Sequence, residues 1–315
     1  MNTQSNAINE SSLQPQGSAR TVSVAQVMYW SIRREIWENR AIYIAPLATA
    51  ALFLLGFAVN LLQMRSHLGT SSLATAQQHD LLGAAQKHQL FQARYELSAA
   101  LIMGTAFIVG VFYSLDALYG ERRDRSILFW KSLPVSDLVT VLSKLAIPIA
   151  ILPLLSFAIT LVTQFAMLVL SSAILLGSGV NIASLWTDAS FFQVSLVLLY
   201  HFMTVHGLYY APIYGWLLMV SAWAPRAPFI WAFLPPFVIC GLEKVAFNTS
   251  YFLALLRDRL GGGGGAMAES EQSKEFMGTL IPHHFFTTAG LWIGLAVAAA
   301  FLAVAVRLRR YRGPI

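Results

Sequence analysis

The sequence contains little charge. Charged residues make up only 11% of its 315 residues, hydrophobic residues make up 57%, and the mean hydropathy is +0.60. A soluble domain typically carries about 25% charged residues. A chain with so few charges cannot surround a core with a hydrated surface. The composition therefore predicts an all-α integral membrane protein, with one transmembrane domain over residues 21–315.

Cysteine is almost absent, and a secretion signal is not visible. Cys240 is the single cysteine, which excludes an internal disulfide and a cysteine-based metal cluster. Residues 1–20 are rich in Ser, Asn and Gln and lack the apolar core of a signal peptide. We expect them to form a disordered cytoplasmic tail.

The sequence also lacks a nucleotide-binding loop. Such a loop requires G-x-x-x-x-G-K-[ST], in which the lysine binds phosphate and the hydroxyl binds Mg²⁺, and no Gly-Lys pair precedes Ser or Thr here. The five glycines at 261–265 indicate a flexible hinge instead. The chain is therefore not expected to be an enzyme by itself, and any ATPase must be a separate chain.

Metal-ligand spacings are missing as well. His201 and His206 are five residues apart, about 140° around an α-helix, and so are not expected to share a face. His283 and His284 are adjacent in a loop, and the sequence contains no H-E-x-x-H motif. We predict no metal site and expect these histidines to form hydrogen bonds.

What the sequence does contain is a set of long apolar runs. A bilayer core about 30 Å thick requires roughly 20 apolar residues per helix. Six runs predict transmembrane helices, at residues 41–62, 97–118, 145–176, 191–220, 229–247 and 288–306. Before them, apolar residues recur at helical spacing over 23–40, which favours an amphipathic helix in the membrane interface. A basic flank of the first span is the alternative.

Lysine and arginine are distributed unevenly around these spans. The segments on the side of the two termini hold 13 of them, whereas the opposite segments hold 7 over much longer loops. Because cytoplasmic loops are enriched in these residues, both termini are predicted to be cytoplasmic.

One short stretch between the second and third runs is strongly charged. YGERRDRSILFWKSLPVSD, residues 119–137, predicts a short helix or pair of turns, followed by Ser136 as the N-cap of the third span. Phe129 and Trp130 are of the type that fills a pocket on a partner. The pattern equally allows a basic loop at the lipid headgroups.

The same stretch resembles a known family. LDALYGERRDRSILFWKSLPVSD followed by TVLSK, within residues 115–144, is similar to the membrane subunits of bacterial ABC-2 type transporters. Six spans with both termini on one side extend the resemblance over most of the chain. It implies a type V exporter-like architecture in which 119–137 is the coupling helix. The residues implied to contact the ATP-binding subunit are Glu121, Arg122, Arg123, Asp124, Arg125, Phe129, Trp130 and Lys131.

The resemblance also implies partners and a place in the cell. This chain would be the permease subunit of an exporter in the bacterial cytoplasmic (inner) membrane. It would form a dimer with a second copy or a related permease and bind an ATP-binding cassette ATPase subunit, which holds the ATP and Mg²⁺. Its other partner would be the lipid bilayer, and nucleic acid is not expected.

The family's transport path runs along the second and fifth spans. Phe107, Phe112 and Phe233 are therefore candidate lining residues, and Glu243, in the outer half of the fifth span, is a candidate gate residue.

Two other functions remain open. One is a polytopic membrane enzyme that uses His283, His284 or Glu243. The other is a scaffold or sensor that binds a cytoplasmic partner through 119–137. The sequence does not identify the cargo.

Overall fold

A computed structural model describes residues 23–70, 84–132, 135–176, 191–261 and 285–315, and every regular element in these ranges is helical. Several expectations lie outside the described residues: those for the tail, for Pro134, for glycines 262–265 and for the pair at 283–284.

The chain forms twelve α-helices within the described ranges. They are α1 Val24–Glu38, α2 Ala41–Thr70, α3 Ala84–Ala117, α4 Tyr119–Arg123, α5 Ile127–Ser132, α6 Asp137–Ala146, α7 Leu152–Leu175, α8 Phe191–His201, α9 Ala211–Trp223, α10 Pro228–Phe247, α11 Tyr251–Leu260 and α12 Ala289–Tyr311. Two π-helical segments, Ile147–Ile151 and Phe202–Tyr209, join α6 to α7 and follow α8. A short 3₁₀ turn, Phe285–Thr287, precedes α12.

Five helical stretches are long and apolar enough to cross a bilayer, and a sixth is a bent pair. The five are Ala41–Gln63, Ala93–Arg123, Asp137–Ile174, Pro228–Phe247 and Ala289–Tyr311; the pair, Ser195–Tyr209 and Ala211–Trp223, is bent by 43°. The chain is thus a helical, multi-pass membrane protein. In chain order these are spans one to six, with the bent pair as span four. Span three begins at Asp137, earlier than the predicted residue 145.

Spans four and six pack closely against each other. A Cβ atom on Gly215 would lie only 3.2 Å from the carbonyl oxygen of Ala298, so the glycine lets the two backbones approach, as small residues do between membrane helices. Span five, in contrast, is largely exposed. Of the residues in α10, only Ala232 is buried.

Two prolines and a π segment interrupt span three, and a π segment interrupts span four. A π-helix closes each turn between residues i and i+5, so residues five apart come to one face. The expectation that His201 and His206 face apart is therefore wrong: their ring centroids are 5.6 Å apart. The prediction was wrong because it used the period of an α-helix.

The two π segments touch each other. A Cβ on Gly207 would lie 3.0 Å from the Ile149 carbonyl oxygen.

Charged side chains gather where five elements meet at one end of the bundle: α1, α4, α5, α6 and the end of α12. We call this the charged end. It also holds the described C-terminus, since the Ile315 amide donates to the Arg122 carbonyl at 3.2 Å.

Candidate functional site

The segment 119–137 folds as two short helices, α4 and α5, with a sharp turn between them. The Asp124 amide donates to the Gly120 carbonyl at 2.9 Å and ends α4. Arg125 then adopts a left-handed backbone conformation with φ of 58°, which costs a non-glycine residue roughly 1–2 kcal/mol. The predicted N-cap is confirmed: the Ser136 hydroxyl accepts from the Val139 amide at 3.3 Å, and α6 begins at Asp137.

Span four holds the start of this segment. The Ser221 hydroxyl accepts hydrogen bonds from the amides of Leu118 and Tyr119, at 3.0 and 2.9 Å. The Arg122 guanidinium donates to the carbonyl oxygens of Ala222 and Ala224, at 2.8 and 3.2 Å. These bonds satisfy backbone groups at the end of span four and fix α4 to it.

The inward face of α4 takes part in a buried ion cluster. Lys144 Nζ donates to Glu35 Oε1 at 2.8 Å and lies 3.1 Å from Glu121 Oε1, the latter an ionic contact without hydrogen-bond geometry. Arg309 pairs with Glu121, and its Nε lies 3.2 Å from Asp137 Oδ1. The side chains of Lys144, Glu121, Glu35 and Arg309 are each less than a tenth exposed.

Two further groups complete this cluster. Arg34 donates to Glu35 Oε1 at 2.8 Å, and the Tyr113 hydroxyl donates to Glu35 Oε2 at 2.8 Å. The cluster therefore holds three carboxylates (Glu35, Glu121 and Asp137) and three cations. Because a buried charge without a partner costs several kcal/mol, the equal numbers of the two signs favour this arrangement.

Burial and the neighbouring charges oppose each other at Glu35. Burial alone would raise the pKa of its carboxyl group, but the Lys144 ammonium, the Arg34 guanidinium and the Tyr113 hydroxyl stabilise the carboxylate. The net pKa of Glu35 is below its ordinary value of 4.5.

The outward face of the segment is apolar and basic. Leu128 and Phe129 are 58% and 60% exposed, and Arg123, Asp124 and Arg125 are also exposed. Lys131 is exposed as well, and its ammonium group donates to the carbonyl oxygens of Arg310 and Arg312, each at 3.3 Å.

Trp130 lies between the two faces. Its ring is half-buried under the Arg34 guanidinium, 3.7 Å from the ring centroid, and packs edge-on against Phe129 at 5.0 Å. A cation over an indole face is an attractive contact. Arg34 thus joins the outward aromatics to the buried ion cluster.

The eight residues predicted to dock a partner therefore divide into two groups. Glu121 and Arg122 are buried within this chain and offer no surface to a partner in this conformation, because their charges are used by the chain's own groups. The other six include the exposed residues and half-buried Trp130. Their docking role stays a prediction.

The four predicted path and gate residues lie at three separate places. Phe112 stacks with Phe229 at 6.2 Å, and Phe229 contacts Phe233 at 4.5 Å. The structure thus joins Phe112 and Phe233 through Phe229, which the sequence analysis missed. Phe107 lies apart from this row, in contact with Tyr210 at 5.1 Å.

Glu243 joins α10 to α11. Its carboxylate accepts hydrogen bonds from the Thr249 hydroxyl at 2.9 Å and from the amides of Tyr251 and Phe252, at 2.6 and 2.9 Å. Carboxylates stabilise helix N-termini in this way. A gating role for Glu243 stays a prediction.

The sequence did not predict that Glu35, Lys144 and Arg309 belong to one cluster. A usable signal was present at Glu35, since this acidic residue lies three residues from Ile32 and next to Ile36, both of which pack on the core. No group of three or more His, Cys, Asp or Glu side chains suited to a metal occurs among the described residues.

No protein-family model matches the chain, and neither a curated protein nor a solved structure matches it.

Arg309 and Arg310 provide a matched test of the ion cluster. Arg309→Met removes the partner of Asp137 and leaves Glu121 with Lys144 alone, so we expect a loss of about 3–5 kcal/mol of stability. Arg310 is exposed and lies outside this cluster, so Arg310→Met should cost less than about 1 kcal/mol. Thermal unfolding of the purified chain in detergent measures both. Equal effects of the two substitutions would contradict the stabilising role of the cluster.

The lowered pKa of Glu35 predicts a pH dependence. A carboxyl group whose pKa is lower in the folded state contributes stability above its unfolded value, near 4.5, and loses it as pH falls through the folded value. We expect the difference in melting temperature between the wild type and Glu35→Gln to be constant between pH 7 and 5 and to shrink below 4.5. A difference that grows as the pH falls would show the opposite shift.

Proposed function

We propose that this chain is the permease subunit of an ABC-2 type transporter, which exports a substrate across the bacterial cytoplasmic membrane with ATP hydrolysed by a separate subunit. The observation that carries the proposal is the two-sided character of the segment 119–137. Its inward face is bound to the spans by ion pairs, and its outward face is apolar and basic. This is the stretch on which the family resemblance rests.

On this proposal the outward face is the docking surface for the ATPase. Leu128 and Phe129 are its exposed apolar residues, and Arg123, Arg125 and Lys131 are its exposed basic residues. Arg123 is paired with Asp124 at 3.0 Å. Exposed aromatic and apolar residues within a polar rim are typical of the centres of protein interfaces. The basic rim would steer an acidic partner surface into register.

The inward face supports the mechanical part of the proposal. A force on Phe129 passes to α4 and α5, and α4 is tied to α6 through Lys144 and to α12 through Arg309. Closing the ATPase subunits on ATP would therefore displace the ends of spans three and six together with the segment. That displacement is the step by which ATP binding would drive alternating access.

Span five supports the dimer. Phe237 is 72% exposed and Val245 is 87% exposed, and both lie on an apolar helix that makes few contacts with the rest of the chain. Lipid alone could cover such a helix. The resemblance favours a second copy of the chain, with Phe112, Phe229 and Phe233 near the shared interface.

Glu243 gives little support to a membrane enzyme, because its carboxylate is occupied by three hydrogen bonds from its own chain. No observation favours that function over the transporter.

The docking surface is tested by co-purification. The tagged chain, extracted from its native membrane in a mild detergent, should retain a protein that carries a phosphate-binding loop and hydrolyses ATP. Phe129→Ala should reduce the bound ATPase by more than tenfold, since truncating an aromatic residue at an interface centre typically costs 2 kcal/mol or more. Trp130 is left intact because it packs under Arg34.

The matched control is Phe247→Ala, which removes an exposed phenylalanine. Phe247 lies at the C-terminal end of α10, the end far from the segment 119–137. It should leave the amount of ATPase unchanged. Retention of the ATPase by Phe129→Ala, or equal loss in both variants, would contradict the docking surface. A stable partner without ATP hydrolysis would favour the scaffold function instead.

The dimer is tested by cross-linking single cysteines. In a Cys240→Ser background, Phe237→Cys and Val245→Cys should form dimers with a short bismaleimide in native membranes. Trp292→Cys, on an exposed position of α12, is the control and should remain monomeric on a denaturing gel. Absence of cross-links at both α10 positions, or equal cross-linking at α12, would exclude α10 as the dimer interface.

A further inference from the structure

One face of α1 points away from the helix bundle and carries two indole rings. Trp30 and Trp37 are 58% and 67% exposed. With 3.6 residues per turn, these two residues and Arg33 lie within an arc of about 60° around the helix. On the other side of α1, Ile32 and Ile36 pack on the core. The two indoles and Arg33 therefore form one outward face.

Arg33 lies between the two indoles. Its Cζ atom is 5.1 Å from the centroid of the Trp30 ring and 4.7 Å from the centroid of the Trp37 ring. A cation over the face of an indole is attracted by the ring. The two rings thus hold the guanidinium group in place without accepting conventional hydrogen bonds from it.

The neighbouring arginine is used within the chain, whereas Arg33 is not. Arg34 donates to Glu35 at 2.8 Å, and its Nε lies 3.5 Å from Glu38. Within the described ranges, no carboxylate pairs with Arg33 and no acceptor takes a hydrogen bond from its guanidinium. Guanidinium carries five N–H donors in a planar fork that matches the oxygen atoms of carboxylate and phosphate groups. Arg33 is therefore available to an anion from outside the chain.

The place of α1 in the chain limits that anion. The helix ends at Glu38, and span one begins at Ala41. Three Cα–Cα steps of about 3.8 Å separate them, so the end of α1 lies within about 11 Å of the membrane span. Tryptophan is enriched at this level, where its ring sits among the lipid headgroups. The anionic groups found there are those of the lipids.

We propose that Arg33 binds the phosphate group of an anionic phospholipid at the membrane surface, with Trp30 and Trp37 among the headgroups on either side of it. Glu35 and Glu38 are already paired with cations of the chain, so the site presents net positive charge. A zwitterionic lipid brings an ammonium group that opposes this charge, and an anionic lipid does not. The proposal requires neither an ATPase nor the assignment as a permease.

Lipid binding to the delipidated chain in detergent tests this site. The probe is radiolabelled phosphatidylglycerol, and the full chain is immobilised by its tag. We expect unlabelled phosphatidylglycerol to displace the probe at a concentration at least fivefold lower than phosphatidylcholine with the same acyl chains, since only the net charge of the headgroup differs. Inorganic phosphate at millimolar concentration should not displace it, because a free ion does not contact the indoles.

Two arginines at the charged end form a matched pair. Arg33→Gln should weaken the binding of phosphatidylglycerol about tenfold, the effect of losing a hydrogen bond to a charged group. Arg310 is exposed and lies outside the ion cluster, so Arg310→Gln should change the affinity by less than twofold. Because neither arginine belongs to the ion cluster, both variants should keep the melting temperature of the wild type in lipid-free detergent.

The indoles are tested by replacing both of them. The double variant Trp30→Leu with Trp37→Leu keeps apolar side chains and removes the ring faces, so it should weaken binding about fivefold. Trp292→Leu, at an exposed position of α12, is the control and should bind as the wild type does. Should Arg33→Gln fail to fold, the indole variants decide the question.

Three results would each overturn the proposal. They are equal affinity for the two lipids, displacement of the probe by inorganic phosphate, and equal affinity of Arg33→Gln and Arg310→Gln. An unchanged affinity of the double indole variant would overturn it as well. Because no ATPase is present, failure here is distinct from failure of the docking surface.

Discussion

The cost of an unpaired buried charge governs the charged end of this protein. Glu35 belongs to α1, Glu121 to α4, Lys144 to α6 and Arg309 to α12, and each is paired with a group from another helix. Pulling one of these helices away would leave a charge without its partner in a poorly hydrated site, which costs several kcal/mol. The four helices are therefore expected to move together rather than one by one. A docking surface built on α4 and α5 gains its mechanical connection to the spans from this constraint.

The same constraint explains the unusual amount of charge between spans two and three. The charged residues of the segment lie on two faces. Those on the inward face fix the segment to the spans, and those on the outward face are available to a partner. Glu121 and Arg122 face inward and fix the segment, whereas Arg123 and Arg125 face outward. The apolar residues divide in the same way, with Ile127 buried and Leu128 exposed. Surface charges can change with little effect on stability, so the inward pair carries the structural requirement and the outward pair is open to adaptation to a partner.

The parts of the fold that depend on local sequence could be predicted, and those that depend on distant pairing could not. Long apolar runs determine the spans, and Ser136 marks the start of span three, because each acts through its immediate neighbours. The ion cluster joins residues up to 188 positions apart, and nothing local distinguishes Arg309 from Arg310. The π segments were missed for a different reason. Proline signals a break in a helix, but it does not show whether the helix bends or changes from α to π. His201 and His206 share a face only because the helix becomes π-helical.

Span three connects the ion cluster to the region where the two π segments meet. Its first helix, α6, carries Asp137 and Lys144 in the ion cluster and then enters the π segment at Ile147. Pro148 lies in this π segment, four residues beyond Lys144 and about 6 Å along the axis. A π turn is a weak point in an otherwise stiff helix, and this one is in backbone contact with the second π segment at Gly207. A displacement of α6 imposed at the charged end would therefore be absorbed where the two π segments meet.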